Sequence, residues 1–169
     1  PLIRPPALWY EKGVKVITTR QERQLPGAKH TSYIPAVLAM KKARDQGAVE
    51  AIYRSRDDEM LEGASSNLFM VQAQQIITPP VQRVLNGTTR QAVMAVCADP
   101  QTPVRSGTGP VAEKTITHPE LLKADEIFIT GTNKGVVPVV NVDGTRIGDG
   151  RPGPVSRAVR QAVETSVDA

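Results

Sequence analysis

The sequence predicts one α/β domain built on a mixed β-sheet. Short β-branched segments recur along its 169 residues, and apolar patterns with helical spacing separate only some of them. Other strand-like segments follow one another through turns that contain Gly or Pro. Since strands and helices do not alternate strictly, the sheet is expected to be mixed rather than all parallel. A chain of this length can bury a substantial core as a single domain.

Strands are predicted where β-branched and aromatic residues cluster between turn residues. The clearest lie at residues 14–19, 51–53, 67–71, 75–78, 126–130 and 136–142, and the last is followed by a turn at Asp143 and Gly144. A further short strand is expected on the N-terminal side of residues 62–66. Residues 98–109 read as a loop around a short strand at residues 103–105.

The clearest helix is predicted over residues 34–46. Pro35 suits a first helical turn, and Gly47 can supply a left-handed end. One face of this helix is shared by Ile34, Val37, Leu38 and Lys41.

Three more helices follow from capping and spacing. Thr88 or Thr89 can cap the first of them, and Pro119 opens a short one that continues through Lys123. The last starts near Ser156. Its valines, spaced four apart along one side, are Val155, Val159, Val163 and Val167.

Composition excludes several classes of protein. The net charge of +4 is mild, and only 4% of residues are aromatic, so a nucleic-acid surface is not expected. No apolar run is long enough to span a bilayer. A lone cysteine, Cys97, cannot form an internal disulfide and is expected as a buried core thiol. The two histidines lie far from it in sequence, so a transition-metal site is not expected. A cytoplasmic protein is predicted.

The first residues are interpreted as a connection rather than the start of a domain. Residues 1–6 include three prolines, a composition typical of extended linkers. We therefore divide the chain into a linker at residues 1–13 and a domain at residues 14–169.

Lys29 is the residue around which a functional hypothesis forms. It follows the turn signal of Pro26 and Gly27 and precedes the predicted helix at residues 34–46. A side chain in such a strand-to-helix connection can project into a cleft. Unperturbed lysine titrates at about 10.4 and is a nucleophile only when its surroundings lower that value. The other interpretation is an ordinary surface charge, since Lys29 is one of eight lysines.

A series of short motifs accompanies Lys29. In order, they are Lys-x-x-x-Tyr at 29–33, Glu-Gly-Ala-Ser-Ser-Asn-Leu-Phe at 62–69, Ile-Thr-Pro-Pro at 77–80, Leu-Asn-Gly-Thr-Thr-Arg at 85–90, Ala-Asp-Glu-Ile-Phe-Ile-Thr-Gly-Thr at 124–132, Val-Pro-Val at 137–139, Val-Asp-Gly at 142–144 and Ile-Gly-Asp-Gly at 147–150. The series resembles the fold-type IV (class IV) pyridoxal-phosphate aminotransferases, which include branched-chain and D-amino-acid aminotransferases and aminodeoxychorismate lyase. The resemblance implies a pseudo-barrel like the C-terminal domain of that fold.

The resemblance also implies a cofactor and roles for particular residues. The cofactor is pyridoxal 5′-phosphate, and Lys29 matches the Schiff-base lysine that also moves protons. Glu62 matches the acid that keeps the ring nitrogen protonated. Ser65, Ser66 and Asn67 are expected to line the ring or brace that glutamate.

The remaining site residues fall in the later motifs. The start of a helix favours an anion through its free N–H groups, so the cofactor phosphate is expected at Thr88 and Thr89, together with Gly131 and Thr132. Relatives usually have Gly-Ile-Thr-Arg, so Thr88 departs from the pattern. Thr132 and Asn133 match the turn that meets the substrate carboxylate. Lys134 and Gly135 depart from the acidic residue that many relatives have nearby, which leaves the substrate class open.

Two residues near Lys29 and a second histidine complete the sequence-based assignments. Tyr33 resembles the tyrosine that hydrogen-bonds the cofactor's 3′ oxygen, although many relatives have Asn-Tyr where this chain has Ser32 and Tyr33. His30 is adjacent to Lys29, and in an extended segment adjacent side chains point opposite ways, so it is expected to pack or face solvent. His118 precedes Pro119 and is expected to be structural.

The resemblance predicts amino transfer between an amino acid, branched-chain or D-, and a 2-oxo acid, in a homodimer or higher homo-oligomer. An aminodeoxychorismate lyase-like reaction on the same fold is one alternative. The other is a non-catalytic fragment or interaction domain. Family members carry an additional N-terminal domain, to which no segment of this sequence corresponds.

Overall fold

The described strands of the computed structural model form one ten-stranded sheet with five α-helices around it. The structure describes residues 5–29, 31–102, 104 and 109–168. The helices are α1 (Leu8–Lys12), α2 (Ile34–Asp45), α3 (Thr88–Ala98), α4 (His118–Leu122) and α5 (Pro154–Asp168). The strands are β1 (Val14–Arg20), β2 (Glu50–Arg54), β3 (Glu59–Gly63), β4 (Asn67–Gln72), β5 (Gln75–Thr78), β6 (Ala112–Glu113), β7 (Ile116–Thr117), β8 (Glu126–Gly131), β9 (Gly135–Val142) and β10 (Thr145–Arg146). No helix among these residues is both long enough and apolar enough to cross a bilayer.

The sheet curls into a pseudo-barrel, as the resemblance implied. Its order is β6-β5-β4-β8-β9-β1-β2-β3-β7, with β10 paired to β9. Strand β1 is parallel to β2 and β9, whereas β8 is antiparallel to β4 and β9. A single bridge between Gly63 of β3 and Ser66 joins the two sides of the curled sheet. The strands β4, β8, β9, β1, β2 and β3 therefore close a ring at the tight β3–β4 turn. That closure places the β3–β4 turn at one end of the ring.

Alternating side chains divide the core between the inside and the outside of the curled sheet. On β4, Leu68 and Met70 belong to the central cluster, whereas Phe69 and Val71 pack beneath α3 and α5. The rings of Phe69 and Phe128 stack with centroids 4.9 Å apart. Cys97 is buried in this second cluster, as predicted, and burial raises the pKa of its thiol to about 11. The thiol is therefore a packing group at neutral pH.

The helix α2 matches the predicted element but packs through different residues. Its buried side chains are Ala39 and Ala43, which lie against β1 and β2. The predicted shared face is instead open, with Ile34, Val37 and Leu38 between 57% and 75% exposed. Small alanines let the helix axis approach the sheet closely, which larger side chains would prevent.

Two other predictions need correction or completion. The N-cap of α3 is Gly87, and Thr88 is already helical, so neither threonine caps the helix by its side chain. Pro103 and Arg105 of the predicted short strand lie outside the described residues, as does His30. By contrast, Thr117 and Glu120 form a capping box at α4, which confirms the predicted helix start.

The segment predicted as a linker contains the helix α1. Trp9 and Tyr10 pack against the central core, and the Tyr10 hydroxyl donates to the carbonyl of Lys134 at 2.9 Å. The guanidinium of Arg160 on α5 lies 4.0 Å from the centroid of the Tyr10 ring. Helix α1 therefore supports the β8–β9 turn.

Candidate functional site

One cavity gathers all the residues that the sequence assigned to a cofactor or substrate site. Its volume is about 550 Å³, within the usual range for small-molecule pockets. It lies at the end of the ring where the β3–β4 turn meets the start of α3 and the β8–β9 turn. The predicted residues that line it are Lys29, Tyr33, Glu62, Ser66, Asn67, Thr88, Thr89, Gly131, Thr132 and Asn133. Ser65 lines it as well.

Among the described residues, three cationic side chains line the cavity, and two of them are paired. Arg23 pairs with Glu62, and Lys134 pairs with Glu50. Within the described part of the chain, Lys29 has no carboxylate partner in an ion pair. It lies in the β1–α2 connection, as predicted, and is exposed. Of these three cationic side chains, the amine of Lys29 is therefore the one that is accessible to a ligand.

Glu62 is held at the cavity wall by two donors. Only 3% of its side chain is exposed. Its Oε1 accepts from Nε of Arg23 at 2.6 Å, and its Oε2 accepts from the backbone N–H of Leu85 at 3.2 Å. Each carboxylate oxygen therefore keeps a lone pair for a further donor in the cavity. Arg23 was not predicted, because no local pattern signals a pairing across 39 residues.

The surroundings of Glu62 shift its pKa upward. Burial is the largest cause, and it outweighs the opposing effects of Arg23 and the Leu85 N–H. The folded chain thus holds a proton on this carboxyl at pH values where an unfolded chain has released it. In that window the native state binds more protons, so stability falls as pH rises.

We expect this shift to appear as a pH-dependent difference between the wild type and Glu62→Gln. As the pH rises from the ordinary carboxyl pKa of 4.5 through the raised pKa of Glu62, the free energy of unfolding of the wild type should fall relative to that of the variant. Urea unfolding between pH 4 and pH 8 measures the difference. The matched control is Glu59→Gln, since Glu59 also pairs with an arginine, Arg83, at 2.8 Å but lies outside the cavity. A wild type that gains stability over Glu62→Gln with rising pH would show that Arg23 dominates over burial.

The start of α3 forms an anion-favouring corner of the cavity. Helix α3 has eleven residues, and no side chain caps its first turn. Its free N–H groups begin beside Thr88, whose hydroxyl lies 3.2 Å from that of Thr132 across the cavity. A Cβ at Gly87 would collide with the side-chain oxygen of Asn67, and the Asn67 amide donates to the carbonyl of Leu85 at 2.7 Å. Because Gly87 has no Cβ, the start of α3 lies directly against Asn67 of β4 at the cavity wall.

The serines of the β3–β4 turn brace a different carboxylate from the one suggested by the sequence. The hydroxyls of Ser65 and Ser66 donate to Oε2 of Glu50, at 2.7 and 3.0 Å, and not to Glu62. Glu50 is fully buried on β2. Neither Glu50 nor Lys134 was predicted as part of a site.

Two of the remaining candidate residues line the cavity, and one lies outside it. Tyr33 precedes α2 and is 50% exposed at the cavity wall. Asn133 lies in the β8–β9 turn, beside Thr132. His118 lies outside the cavity, at the start of α4, with its Nε2 3.3 Å from Oδ2 of Asp143. That contact ties α4 to the β9–β10 hairpin, in keeping with a structural role.

Comparison with known proteins gives a consistent set of relatives. The family model described as amino-transferase class IV matches residues 2–142. A D-alanine aminotransferase of Bacillus licheniformis is 37% identical over 167 residues, which cover 98% of this chain and 56% of that protein. A branched-chain-amino-acid aminotransferase of Pseudomonas aeruginosa is 34% identical over 158 residues, covering 90% of this chain and 49% of that protein.

Solved structures agree with these relatives. A branched-chain amino acid aminotransferase from T.th., solved with pyridoxamine 5′-phosphate, superposes with a TM-score of 0.85 at 31% identity, covering 96% of this chain and 53% of that one. The chain therefore spans about half the length of the relatives that it matches.

Proposed function

Because the chain belongs to the amino-transferase class IV family, we propose that residues 14–169 are the cofactor-lysine domain of a pyridoxal-phosphate-dependent aminotransferase. The reaction would move an amino group between an amino acid and a 2-oxo acid. The observation that carries the proposal is the cavity itself. It combines an accessible amine at Lys29, a buried carboxylate at Glu62 and the open start of α3.

The residues present fit pyridoxal phosphate. The phosphate would be held at the start of α3 by Thr88 and Thr89, and by Gly131 and Thr132 opposite, where N–H groups and hydroxyls favour an anion. The free lone pairs of Glu62 suit a protonated ring nitrogen. Tyr33, Ser66 and Asn67 would complete the wall around the ring.

Each residue then has a chemical task. When bound, pyridoxal phosphate supplies an aldehyde that takes up amino groups and a ring that accepts electrons from Cα. Lys29 would hold the aldehyde, give it up to the amino substrate, and carry the proton to and from Cα. Glu62 would keep the ring nitrogen protonated. Thr132 and Asn133 would orient the substrate carboxylate.

The assembled protein is proposed to be a homodimer or larger homo-oligomer. The support is the outer face of α2, where Ile34, Val37 and Leu38 are each more than half exposed, as is Leu25 in the connection before the helix. Monomers seldom leave such a surface uncovered. We propose a cytoplasmic location, since the single, buried cysteine fits a reducing compartment.

The relatives complete the proposal for the whole protein. They are about twice the length of this chain, and we propose that an additional N-terminal domain supplies the rest of the substrate pocket. The 169 residues alone should then transfer amino groups poorly, and joining them to the N-terminal domain of the Bacillus licheniformis relative should restore turnover.

An amino-transfer assay tests this directly. D-alanine, branched-chain L-amino acids and aminodeoxychorismate would each be offered, with 2-oxoglutarate as acceptor for the amino acids. Glutamate formation from the joined protein supports the proposal, and aminobenzoate from aminodeoxychorismate would favour the lyase alternative. Full activity of the isolated chain would contradict the proposed division of the site. No activity from either protein would favour the non-catalytic alternative.

A further inference from the structure

Glu50 is a buried carboxylate to which the mechanism assigns no task. It is 0% exposed, and donors surround its carboxylate. Its Oε1 accepts from the backbone N–H of Ala51 at 3.1 Å, and its Oε2 accepts from Ser65, Ser66 and Lys134 at 2.7 to 3.0 Å. A buried charge is tolerated only with such compensation.

Lys134 connects the two neighbouring turns that line the cavity at the ends of the paired strands β4 and β8. Its backbone belongs to the β8–β9 turn, while its Nζ donates to Glu50 at 2.9 Å and to the Ser65 hydroxyl at 2.9 Å. The side chain is only 13% exposed and lies over Gly131, where a Cβ would meet Lys134 at 3.4 Å and the Ser65 carbonyl at 3.2 Å. The side chain therefore adds a polar link between two turns that already lie side by side.

We propose that Lys134 is a positioning residue that clamps the β8–β9 turn to the β3–β4 turn through Glu50. The clamp holds Thr132 and Asn133 of one turn against Ser65 and Ser66 of the other, and thus fixes the shape of the cavity wall that the two turns form. Its consequence for cofactor affinity rests on the proposed function, whereas the clamp itself does not. Because Nζ is engaged by Glu50 and Ser65, Lys134 acts through the turns and is not assigned to bind substrate.

Variants that remove one or both charges of the Glu50–Lys134 pair distinguish a positioning role of Lys134 from an effect on stability alone. Lys134→Met leaves Glu50 buried without its cation, so it should lower the melting temperature. The double variant Glu50→Gln, Lys134→Met leaves no unpaired charge and should recover most of that loss. Neither variant can form the link from residue 134 to the β3–β4 turn.

Hydrogen exchange of the cofactor-free chain, followed by mass spectrometry, tests the clamp. We expect peptides containing residues 64–66 and 131–135 to exchange about tenfold faster in both variants, while α2 is unchanged. The control is Lys41→Met, which removes an exposed lysine that pairs with Asp45 at 2.9 Å and does not line the cavity. If both turns of the double variant exchanged at the wild-type rate, the clamp proposal would be overturned. An equal increase in exchange rate throughout the chain would also overturn it.

Titration with pyridoxal phosphate gives the second readout. Affinity should fall by about tenfold in Lys134→Met and in the double variant alike, and not in Lys41→Met. Recovery of affinity together with melting temperature in the double variant would show that Lys134 acts only through stability. A wild-type chain that binds no pyridoxal phosphate would count against the proposed function, and the exchange experiment would still decide the clamp.

Discussion

Replacing Lys29 by alanine is expected to abolish both the visible absorbance of protein-fixed pyridoxal phosphate and all amino transfer. The amine of Lys29 is exposed in the cavity and has no carboxylate partner there among the described residues. Alanine removes the only group proposed to hold the aldehyde and to move the Cα proton. Absorbance titration and the amino-transfer assay of the joined protein measure the two losses.

A matched lysine supplies the control for this experiment. Lys42 is exposed on α2 but does not line the cavity. Lys42→Ala should therefore retain absorbance and turnover. The assignment is wrong if Lys29→Ala transfers amino groups at the wild-type rate, or if both variants lose the absorbance equally.

Glu62→Gln is expected to slow proton abstraction by about 10²- to 10³-fold, the size of losing one preorganised electrostatic partner. A neutral amide cannot keep the ring nitrogen protonated, and it also loses the charge that pairs with Arg23. Cofactor binding should be largely retained, because the proposed phosphate site at Thr88 and Thr132 is separate from this carboxylate.

Single-turnover absorbance changes with a good amino donor measure that step. Glu59→Gln is again the control, because it breaks an arginine pair outside the cavity. An unchanged single-turnover rate in Glu62→Gln would remove Glu62 from the proposed mechanism.

Local patterns were enough to predict most of the elements and the place of Lys29. The β-branched runs became β1, β4, β5, β8 and β9, and the Pro and Gly signals around residues 34–47 bounded α2. The candidate residues came from motif order, and the fold brings all of them to one cavity. Their individual roles stay predictions.

Long-range polar pairs could not be predicted in this way. Arg23 and Glu62 are 39 residues apart, and Glu50 and Lys134 are 84 apart, so no local spacing links them. The residues on either side of Glu50 are apolar, so the sequence around it indicates no partner for its charge. The two members of each pair come together only in the folded sheet.

The packed face of α2 shows a second limit of local reasoning. Hydrophobic spacing pointed to Ile34, Val37 and Leu38 as a shared face, whereas the sheet accepts Ala39 and Ala43. Periodicity identifies side chains that share a face but not which surface covers them. The proposed oligomer gives the exposed face a partner.

Borohydride reduction of the chain with bound pyridoxal phosphate, followed by peptide mapping, tests the central claim most directly. Reduction makes the link between the cofactor and a lysine permanent, so the modified residue can be identified by mass spectrometry. We predict that the pyridoxyl group is recovered on Lys29 and that the other seven lysines carry little of it. Recovery mainly on another lysine, such as Lys134, would contradict the account.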